Sequence, residues 1–329
     1  MWRNLWTMTG VVMALSACSP SGESQTDPAG ATELPKTLII AHRGASGLYP
    51  EHTLEAYSAA IDMGADFIEP DLVMTRDGVL VARHERYLSE TTDVANRSEF
   101  LDRRTIKEIG GSPREDWYVE DFTLTELKSL RARQPRQSRD QGFNDQFSIP
   151  TFTEILGLVA ITNQSGQRLG VYPELKSPAY FASIGLDMES ALLDALMTAE
   201  LDGLGAPVFI QCFDPATLRS LNEKTDWPLV QLLPATTAER LTPDTISTYA
   251  DGIGPWKQVM MRFDGGPERY LALAHEAGLV VHPYTYRADD VAGGYESFDA
   301  ELSTAFTLGV DGVFTDHPGQ ALAIRGGSD

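Results

Sequence analysis

The chain has 329 residues, of which 42% are hydrophobic and 22% charged, and its formal net charge at pH 7 is −21. These fractions exclude wholesale disorder, and the length suffices for one large domain with a full core. The negative charge disfavours a general affinity for nucleic acid or for anionic lipid headgroups. An anionic substrate would therefore have to bind where a metal ion or a few basic residues reverse the local field.

The first 17 residues predict a signal peptide. Arg3 provides a positive charge, residues 5–17 form an apolar run that is too short to span a bilayer, and small residues precede Cys18. The order Leu15-Ser16-Ala17-Cys18 resembles a bacterial lipobox, which implies cleavage before Cys18 and attachment of lipid to it. Residues 18–35 are polar and rich in Gly, Pro and Ser, so they predict a flexible tether before a folded domain at residues 36–329.

This N-terminal layout leads us to expect a lipoprotein on the periplasmic side of a bacterial membrane, held there only by its lipid anchor. Ser19 stands where an aspartate would signal retention at the inner membrane, which favours the outer membrane. The other cysteine, Cys212, lies in an apolar run and is expected to be a small buried residue, not a nucleophile. With Cys18 acylated, no intrachain disulfide can form.

After the tether, short apolar runs alternate with helical periodicity, a pattern typical of a parallel sheet flanked by helices. The nine strand candidates are residues 37–43, 67–73, 79–84, 170–176, 207–214, 229–233, 252–255, 279–286 and 312–316. The helix candidates are residues 54–63, 152–161, 188–200, 215–222, 267–277 and 301–308. This order predicts a (β/α)₈ TIM barrel. One strand is surplus to such a barrel, and the weakest candidate, residues 252–255, is the one we expect to be accessory.

Two segments interrupt the regular alternation. The gap between Asp71 and Val79 is too short for a crossover helix and contains the turn sequence Thr75-Arg76-Asp77-Gly78. We therefore expect the chain to descend there in extended form, turn sharply and climb again. Residues 86–148 are largely polar, with one capped helix from Thr123, and predict an insertion after the third strand. Its place beside the strand ends would let it shape or cover a substrate site.

Polar clusters occur at the ends of five strand candidates, and the carboxyl ends of parallel barrel strands open onto one face. The clusters are His42-Arg43-Gly44, Glu69-Pro70-Asp71, His84-Glu85, Glu174-Leu175-Lys176 and Thr315-Asp316. Taken singly, each fits a structural role, such as a solvated strand end, an ion pair or, for Asp316, a turn or helix cap. Taken together, they would be costly to bury without partners, and a bound cation would remove that cost.

The chemistry of these clusters suits phosphodiester cleavage. Glu69, Asp71 and Glu174 are hard oxygen ligands, which favour Mg²⁺ or Ca²⁺. A basic pair could then hold a phosphate, with a guanidinium fork from Arg43 and a point charge from Lys176. Two histidines could act as general base and general acid, because the unperturbed pKa of histidine lies near working pH; they are His42 and His84. Cleavage of a phosphodiester needs a metal for the phosphoryl charge, a base and an acid.

A resemblance to a known family covers nearly the whole chain from residue 37 onward. It is carried, in order along the chain, by His42-Arg43-Gly44-Ala45-Ser46, Pro50-Glu51-His52-Thr53, Glu69-Pro70-Asp71-Leu72-Val73-Met74-Thr75, Tyr172-Pro173-Glu174-Leu175-Lys176, Gln211-Cys212-Phe213-Asp214, Tyr249-Ala250-Asp251-Gly252-Ile253-Gly254-Pro255, Val281-His282-Pro283-Tyr284-Thr285 and Phe314-Thr315-Asp316. These motifs resemble the bacterial glycerophosphodiester phosphodiesterase family, and most closely its periplasmic branch. The resemblance implies a (β/α)₈ barrel, and residues 86–148 are the part that matches poorly.

The resemblance also implies roles for individual residues. Glu69, Asp71 and Glu174 would bind one divalent cation, with Ca²⁺ favoured over Mg²⁺ for this branch. His42 and His84 would be the acid/base pair. Two further residues resemble substrate contacts of the family: Glu51, which would help to order the metal or the substrate glycerol, and Phe213, against which the glycerol would pack.

The implied activity is hydrolysis of glycerophosphodiesters such as glycerophosphocholine or glycerophosphoethanolamine to sn-glycerol 3-phosphate and an alcohol. Our hypothesis is that a free glycerol hydroxyl loses its proton to His42 and attacks phosphorus while His84 protonates the leaving alcohol, which gives a cyclic phosphate; the two labels could be exchanged. One alternative is a lysophospholipase D-like enzyme, which the polar character of residues 86–148 disfavours. Another is a surface lipoprotein that binds a partner without catalysis, which the complete set of site residues disfavours. The oligomeric state stays open.

Overall fold

The structure, a computed structural model, describes residues 37–235 and 242–327. The predicted signal peptide, Cys18 and the tether lie outside the described residues. Among the residues that are described, no helix combines the length and the apolar character needed to cross a membrane.

Short strands make up the sheets of the domain. They are β1 (Leu38–His42), β2 (Phe67–Glu69), β3 (Asp71–Met74), β4 (Leu80–Ala82), β5 (Thr105–Ile109), β6 (Ser112–Asp116), β7 (Gly170–Val171), β8 (Glu174–Leu175), β9 (Ile210–Cys212), β10 (Leu229–Leu233), β11 (Gly252–Pro255), β12 (Val280–Val281) and β13 (Gly312–Thr315). Strands β2 and β3 are the two halves of one strand that Pro70 interrupts, since proline has no N–H for the ladder. Strands β7 and β8 are likewise separated by Tyr172-Pro173.

Counted in this way, eight parallel strands close into a barrel. One sheet has the order β13-β1-β2-β7 and the other contains β12-β11-β10-β9-β8-β3, with parallel pairing throughout. The last gap is closed by hydrogen bonds from Phe314 N to Pro283 O, 3.1 Å, and from Tyr286 N to Phe314 O, 2.8 Å. The predicted TIM barrel is therefore confirmed.

The surplus strand is β4, and the prediction that residues 252–255 would be accessory was wrong. Strand β11 lies between β10 and β12 and has parallel partners on both sides. Strand β4 instead pairs antiparallel with β3, with Ala82 opposite Leu72 and Leu80 opposite Met74. Strand β3 thus continues in the direction of the barrel strands past their carboxyl ends, and β4 returns in the opposite direction after the turn. The predicted order, first a descending and then a climbing segment, was the reverse of this.

The helices lie between the barrel strands, within the insertion or, for the last one, after the final strand. They are α1 (Leu54–Met63), α2 (Leu124–Ser129), α3 (Phe152–Gln164), α4 (Pro178–Ser183), α5 (Met188–Thr198), α6 (Pro215–Asn222), α7 (Pro243–Ile246), α8 (Lys257–Met261), α9 (Gly266–Glu276), α10 (Phe298–Leu308) and α11 (Pro318–Gly326). The predicted bounds of α1 and α6 agree with the structure residue for residue. Helices α4, α7 and α8 were not predicted because four to six residues are too few to show a 3.6-residue period. Helix α11, nine residues long, was also missed.

The insertion is built on a small sheet of its own. Residues 86–148 contain the antiparallel hairpin β5–β6, helix α2 and the short 3₁₀ helices Val94–Asn96, Ser98–Arg103 and Val119–Asp121. Phe100 and Phe122 pack edge to face with 5.0 Å between ring centroids. The insertion follows the third strand in chain order, as predicted, but that strand is the hairpin strand β4 and not a barrel strand.

Aromatic side chains from several barrel strands contact one another across the barrel. The ring of Tyr172 packs against Phe67, Phe209, Phe314 and His282, with centroids 5.0–5.9 Å apart. The Tyr172 hydroxyl and Nδ1 of His282 form a hydrogen bond of 2.9 Å. Burial lowers the pKa of His282 to about 4, so this histidine is a neutral core residue. Phe314 of this cluster also lines a cavity that contains residues from the carboxyl ends of the strands.

Candidate active site

Three carboxylates meet at the carboxyl ends of neighbouring barrel strands. Glu69 ends β2, Asp71 begins β3 and Glu174 begins β8, where it lies directly opposite Asp71 in the parallel register. All three are buried, and one oxygen of each lies within 4.8 Å of the others. The structure therefore brings together the three residues that the sequence predicted as metal ligands.

The electrostatics of this group favour a cation at its centre. Burial raises the pKa of Glu69 well above its ordinary value, and the charges of Asp71 and Glu174 raise it further. Burial also raises the pKa of Glu174 to about 8, although Lys176 opposes the shift. For Asp71 the effect of burial is outweighed by nearby positive charge, first that of Lys176, and its pKa is lowered. A divalent ion would offset the repulsion that keeps these carboxyl groups from ionising together.

Asp71 shows where such an ion would fit. Its Oδ2 accepts a hydrogen bond from Nε2 of His52 at 2.9 Å and lies 3.1 Å from Nε of Arg43. Its Oδ1 is buried and has no hydrogen-bond partner in the described chain; the Lys176 ammonium is 3.8 Å away. An unpaired buried oxygen beside two further carboxylates is the donor set that Ca²⁺ or Mg²⁺ accepts, so the residues present fit a divalent ion.

The loop after β1 supplies the arginine. Arg43 adopts a left-handed backbone conformation (φ 60°), which costs free energy and is often found at functional sites. Its backbone N–H donates to Oε2 of Glu69 at 2.9 Å, and its guanidinium donates to Oε2 of Glu51 at 3.0 Å. Gly44 follows with φ 84°, and a Cβ there would lie 2.6 Å from the Ala56 carbonyl carbon. Glu51 thus reaches the site through the arginine.

Lys176 and Phe213 also line the cavity. The Lys176 ammonium is 2.8 Å from Oε1 of Glu174 and 5.5 Å from the centroid of the Phe213 ring. Phe213 is partly exposed and packs perpendicular to Tyr284 with 6.0 Å between centroids. Trp256 and Tyr284 line the cavity as well, so part of its lining is aromatic.

His42 is held by a carboxylate that sequence reasoning assigned to a cap. Nδ1 of His42 lies 2.6 Å from Oδ1 of Asp316. The interaction with His42 and the charges of Arg287 and Arg139 lower the pKa of Asp316 well below its usual range despite burial, so this carboxylate only accepts and Nδ1 of His42 must carry the proton. Burial, reinforced by Arg43, lowers the pKa of His42 to about 4 against the opposing effect of Asp316. Nε2 of a neutral His42 is therefore left as a proton acceptor.

His84 reaches the same cavity by way of the β3–β4 hairpin. Arg83 N donates to Asp71 O at 2.9 Å, which sets the next residue beside the carboxylates. Nδ1 of His84 lies 2.8 Å from Oε1 of Glu85. Burial and the charges of Arg43 and Lys176 lower the pKa of His84.

The cavity joins the predicted site residues into one space of about 600 Å³, part of which is open to solvent. Its lining includes His42, Arg43, Glu69, His84, Glu174, Lys176, Gln211, Phe213, Trp256, Tyr284 and Arg287. The two histidines that were predicted as acid and base thus face a common cavity, which Glu69 and Glu174 also line.

Sequence reasoning did not assign four residues of this site. They are His52 on Asp71, Gln211 on Glu69, and Asp316 and Arg287 on the His42 side. Gln211 donates from Nε2 to Oε1 of Glu69 at 2.9 Å, and its buried Oε1 has no partner in the described chain. His52, Gln211 and Asp316 belong to motifs that carried the family resemblance. The sequence therefore marked these residues, but it did not indicate which site residue each one contacts.

A closed parallel barrel with three buried carboxylates at the carboxyl ends of its strands, flanked by two histidines, an arginine and a lysine, has the architecture of a TIM-barrel enzyme. Comparisons with known proteins specify the class. The model of the glycerophosphoryl diester phosphodiesterase family matches residues 42–320. A glycerophosphodiester phosphodiesterase of Arabidopsis thaliana is 36% identical over 318 residues, which cover 85% of this chain and 83% of that protein.

A glycerophosphodiester phosphodiesterase of Haemophilus influenzae is 31% identical, with 85% of this chain and 87% of that protein covered. Among solved structures, a phosphodiesterase of Oleispira antarctica in complex with the product sn-glycerol-3-phosphate has a TM-score of 0.64 at 22% identity, covering 88% of this chain and 96% of that one. The chain belongs to the glycerophosphoryl diester phosphodiesterase family, as its motifs predicted, and is an enzyme of that class.

Proposed function

We propose that this chain hydrolyses glycerophosphodiesters of small alcohols, such as glycerophosphocholine and glycerophosphoethanolamine, to sn-glycerol 3-phosphate and the free alcohol. The observation that carries the proposal is the grouping of three buried carboxylates within 4.8 Å beside a cavity lined by two histidines, Arg43 and Lys176. The names of the relatives, and the product bound to the Oleispira protein, support the substrate class.

Glu69, Asp71 and Glu174 would hold one divalent ion, for which we propose Ca²⁺ before Mg²⁺. Carboxylate oxygens on separate strands suit the larger ion, which accepts more ligands and less regular geometry, whereas Mg²⁺ usually keeps several waters. When bound, the ion supplies positive charge for the phosphoryl oxygens. Arg43 and Lys176 orient the phosphate, and Phe213 offers an apolar wall to the carbon chain of glycerol.

The histidines would carry the protons in two steps. Nε2 of neutral His42 accepts the proton of a free glycerol hydroxyl, the hydroxyl oxygen bonds to phosphorus, and the bond from phosphorus to the leaving alcohol oxygen breaks. His84 donates a proton to that oxygen; the anionic phosphate raises the pKa of His84 when substrate binds and so favours the acid form. Water then opens the cyclic phosphate with the roles reversed. The orientation of His42 by Asp316 supports its assignment as the first base.

Choline release from glycerophosphocholine tests the proposal. We expect EDTA to abolish the activity and Ca²⁺ to restore it better than Mg²⁺. The variants His42→Ala and His84→Ala should each be less active than the wild-type enzyme by several orders of magnitude. A chelator-resistant enzyme would contradict the metal site, and near-normal turnover by either variant would contradict the histidine roles. Faster hydrolysis of lysophosphatidylcholine than of glycerophosphocholine would favour the lysophospholipase D-like alternative.

We also propose that the mature protein begins at Cys18, carries lipid there and resides on the periplasmic side of the outer membrane. The order Leu15-Ser16-Ala17-Cys18 and the tether after it support this assignment. Labelling of cells with radioactive palmitate should mark the wild-type protein and not Cys18→Ser, and sucrose-gradient fractionation should place the labelled protein with outer membranes. Label on the Cys18→Ser protein would contradict lipidation at this residue.

A further inference from the structure

The insertion reaches the active site through one buried arginine. Arg139 belongs to the part of the insertion that we term the latch segment, residues 131–147, and its side chain is 5% exposed. Nε and one terminal nitrogen of the guanidinium bind the carboxylate of Asp289, at 2.7 and 3.0 Å. The other terminal nitrogen donates to Ser46 O at 3.0 Å. The terminal nitrogen that binds Asp289, Nη2, also donates to Oδ2 of Asp316 at 2.6 Å.

Both carboxylate oxygens of Asp316 therefore accept hydrogen bonds. Oδ1 accepts from Nδ1 of His42, and Oδ2 accepts from Arg139 and from Nε of Arg287 at 2.7 Å. Two charged donors on one oxygen fix the rotation of the carboxylate about its Cβ–Cγ bond, and the fixed Oδ1 in turn sets the plane and the tautomer of the His42 ring. The side chains of Arg139, Asp316 and His42, which form this series of contacts, are all largely buried.

We propose that Arg139 is a positioning residue for the reaction: the insertion supplies a guanidinium that holds Asp316 and thereby orients His42 as a base. This inference rests on the proposed function, since it assumes that His42 exchanges a proton with substrate. It assigns to the insertion a direct part in turnover, in addition to any influence on which substrates enter. Arg287 provides the second hold on Asp316 from the loop after β12.

The seating of the latch segment supports this assignment. Nε2 of Gln134 donates to Ser46 O and to Tyr49 O, both at 3.1 Å. The ring of Tyr49 stacks on Phe143 with 4.7 Å between centroids. Ser46 and Tyr49 lie in the loop that begins at Arg43. The latch segment is therefore bound to the loop that carries the proposed phosphate-binding arginine.

Steady-state kinetics on glycerophosphocholine at saturating Ca²⁺ test the proposal. We expect Arg139→Gln to lower kcat by roughly 10- to 100-fold, the range usual for residues that orient a reactive side chain, with KM changed by no more than about twofold. Arg139→Lys, which keeps the charge but cannot bind both carboxylates as a fork, should recover part of the loss. Arg133→Gln is the matched control, because Arg133 also forks onto a carboxylate of the latch segment, Asp145, yet stays partly exposed and away from Asp316.

A second control separates positioning from simple fastening. Asp289→Asn weakens the pair that fastens Arg139 but leaves its bond to Asp316, so it should keep most of kcat. An equal loss of kcat in Asp289→Asn and Arg139→Gln would overturn the proposal, and so would an Arg139→Gln enzyme with normal kcat or with only a raised KM. If Arg139→Gln does not fold, a folded Arg139→Lys enzyme with undiminished kcat would overturn it equally. An inactive wild-type protein, or an active His42→Ala enzyme, would instead refute the proposed function.

Discussion

His42 and Asp316 are 274 positions apart in sequence, yet the parallel pairing of the first and last barrel strands makes them neighbours. Strand β1 pairs with β13 in a register that sets Ala41 opposite Thr315, so the next residue on each strand follows at the same level. The role of Asp316 as a cap is excluded by the structure, since its carboxylate binds His42 and two arginines. Helix α11 has no side-chain cap at its start. Local sequence could not show this, because the contact exists only in a closed barrel.

Substitution of Asp316 by Asn should impair turnover strongly. Asn keeps the shape but can present an N–H to Nδ1 of His42, which would favour the wrong tautomer, and kcat should fall by roughly 10²- to 10⁴-fold. KM for glycerophosphocholine should change little, because Asp316 does not face the substrate phosphate. Asp145→Asn, an exposed carboxylate paired with Arg133, serves as the control. Retention of more than half of the wild-type kcat would contradict the role given to Asp316.

Cys212 should be unreactive in the folded protein. The thiol is 1% exposed and donates to Leu175 O at 3.4 Å, and burial raises its pKa to about 12 from about 9. In a Cys18→Ser protein, which retains Cys212 alone, iodoacetamide at pH 8 should label the chain only after unfolding in urea. Because the folded pKa is above the unfolded one, this thiol favours the folded state below about pH 9 and loses that contribution as pH rises towards 12. Rapid labelling under native conditions would contradict the burial of Cys212.

At the scale of elements, the β3–β4 hairpin shows the limit of local patterns. The turn at residues 75–78 was predicted, and Thr75 Oγ1 accepts from Val79 N at 2.9 Å within it. Its consequence was not predicted, because a turn signal locates a change of direction without saying which strand becomes the partner. The antiparallel return is what carries His84 to the carboxylates, since a strand climbing elsewhere in the barrel would end at another position on the rim.

Helix α1 begins at a cap that also shapes the active-site loop. Thr53 Oγ1 accepts from Ala56 N at 3.1 Å and donates to Pro50 O at 2.9 Å, and the residue is fully buried. Thr53→Ala should lower the free energy of unfolding by about 1–2 kcal/mol, as measured by urea denaturation. Thr53→Ser keeps the hydroxyl and should retain most of the stability. An alanine variant with unchanged stability would show that the cap contributes nothing, whatever its geometry.

At the scale of the whole molecule, a divalent ion should stabilise the domain. The carboxylates of the site repel one another in a buried setting, so an ion that binds the folded state alone raises stability by RT ln(1 + [L]/Kd), about 2.7 kcal/mol at 100 times Kd. The thermal midpoint should rise when Ca²⁺ replaces EDTA. Asp71→Asn should abolish the rise, whereas Asp194→Asn, an exposed carboxylate on α5, should preserve it. Equal midpoints with ion and with chelator would contradict the metal site.

Much of the barrel and of its site could be predicted from local pattern. Apolar runs and caps located most barrel strands and most of the helices of eight or more residues, because a strand or helix of sufficient length imprints its period on the sequence. The three carboxylates could be grouped because Glu69 and Asp71 are two residues apart on one strand and so point to the same side, and because all parallel strands end at one face. Gly252–Pro255 was misjudged because two glycines weaken the strand signal.

The sequence by itself determined the fold class, the grouping of the three carboxylates, the pair of histidines and the family, since these depend on residue types at strand ends and on motif order. Only the tertiary structure decided which polar groups hold those residues in place: His52 on Asp71, Gln211 on Glu69, and Arg139 with Arg287 on Asp316. The physical reason is that a hydrogen bond or ion pair between distant positions leaves no periodic trace. It arises when closure of the barrel and docking of the insertion bring the two side chains within about 3 Å.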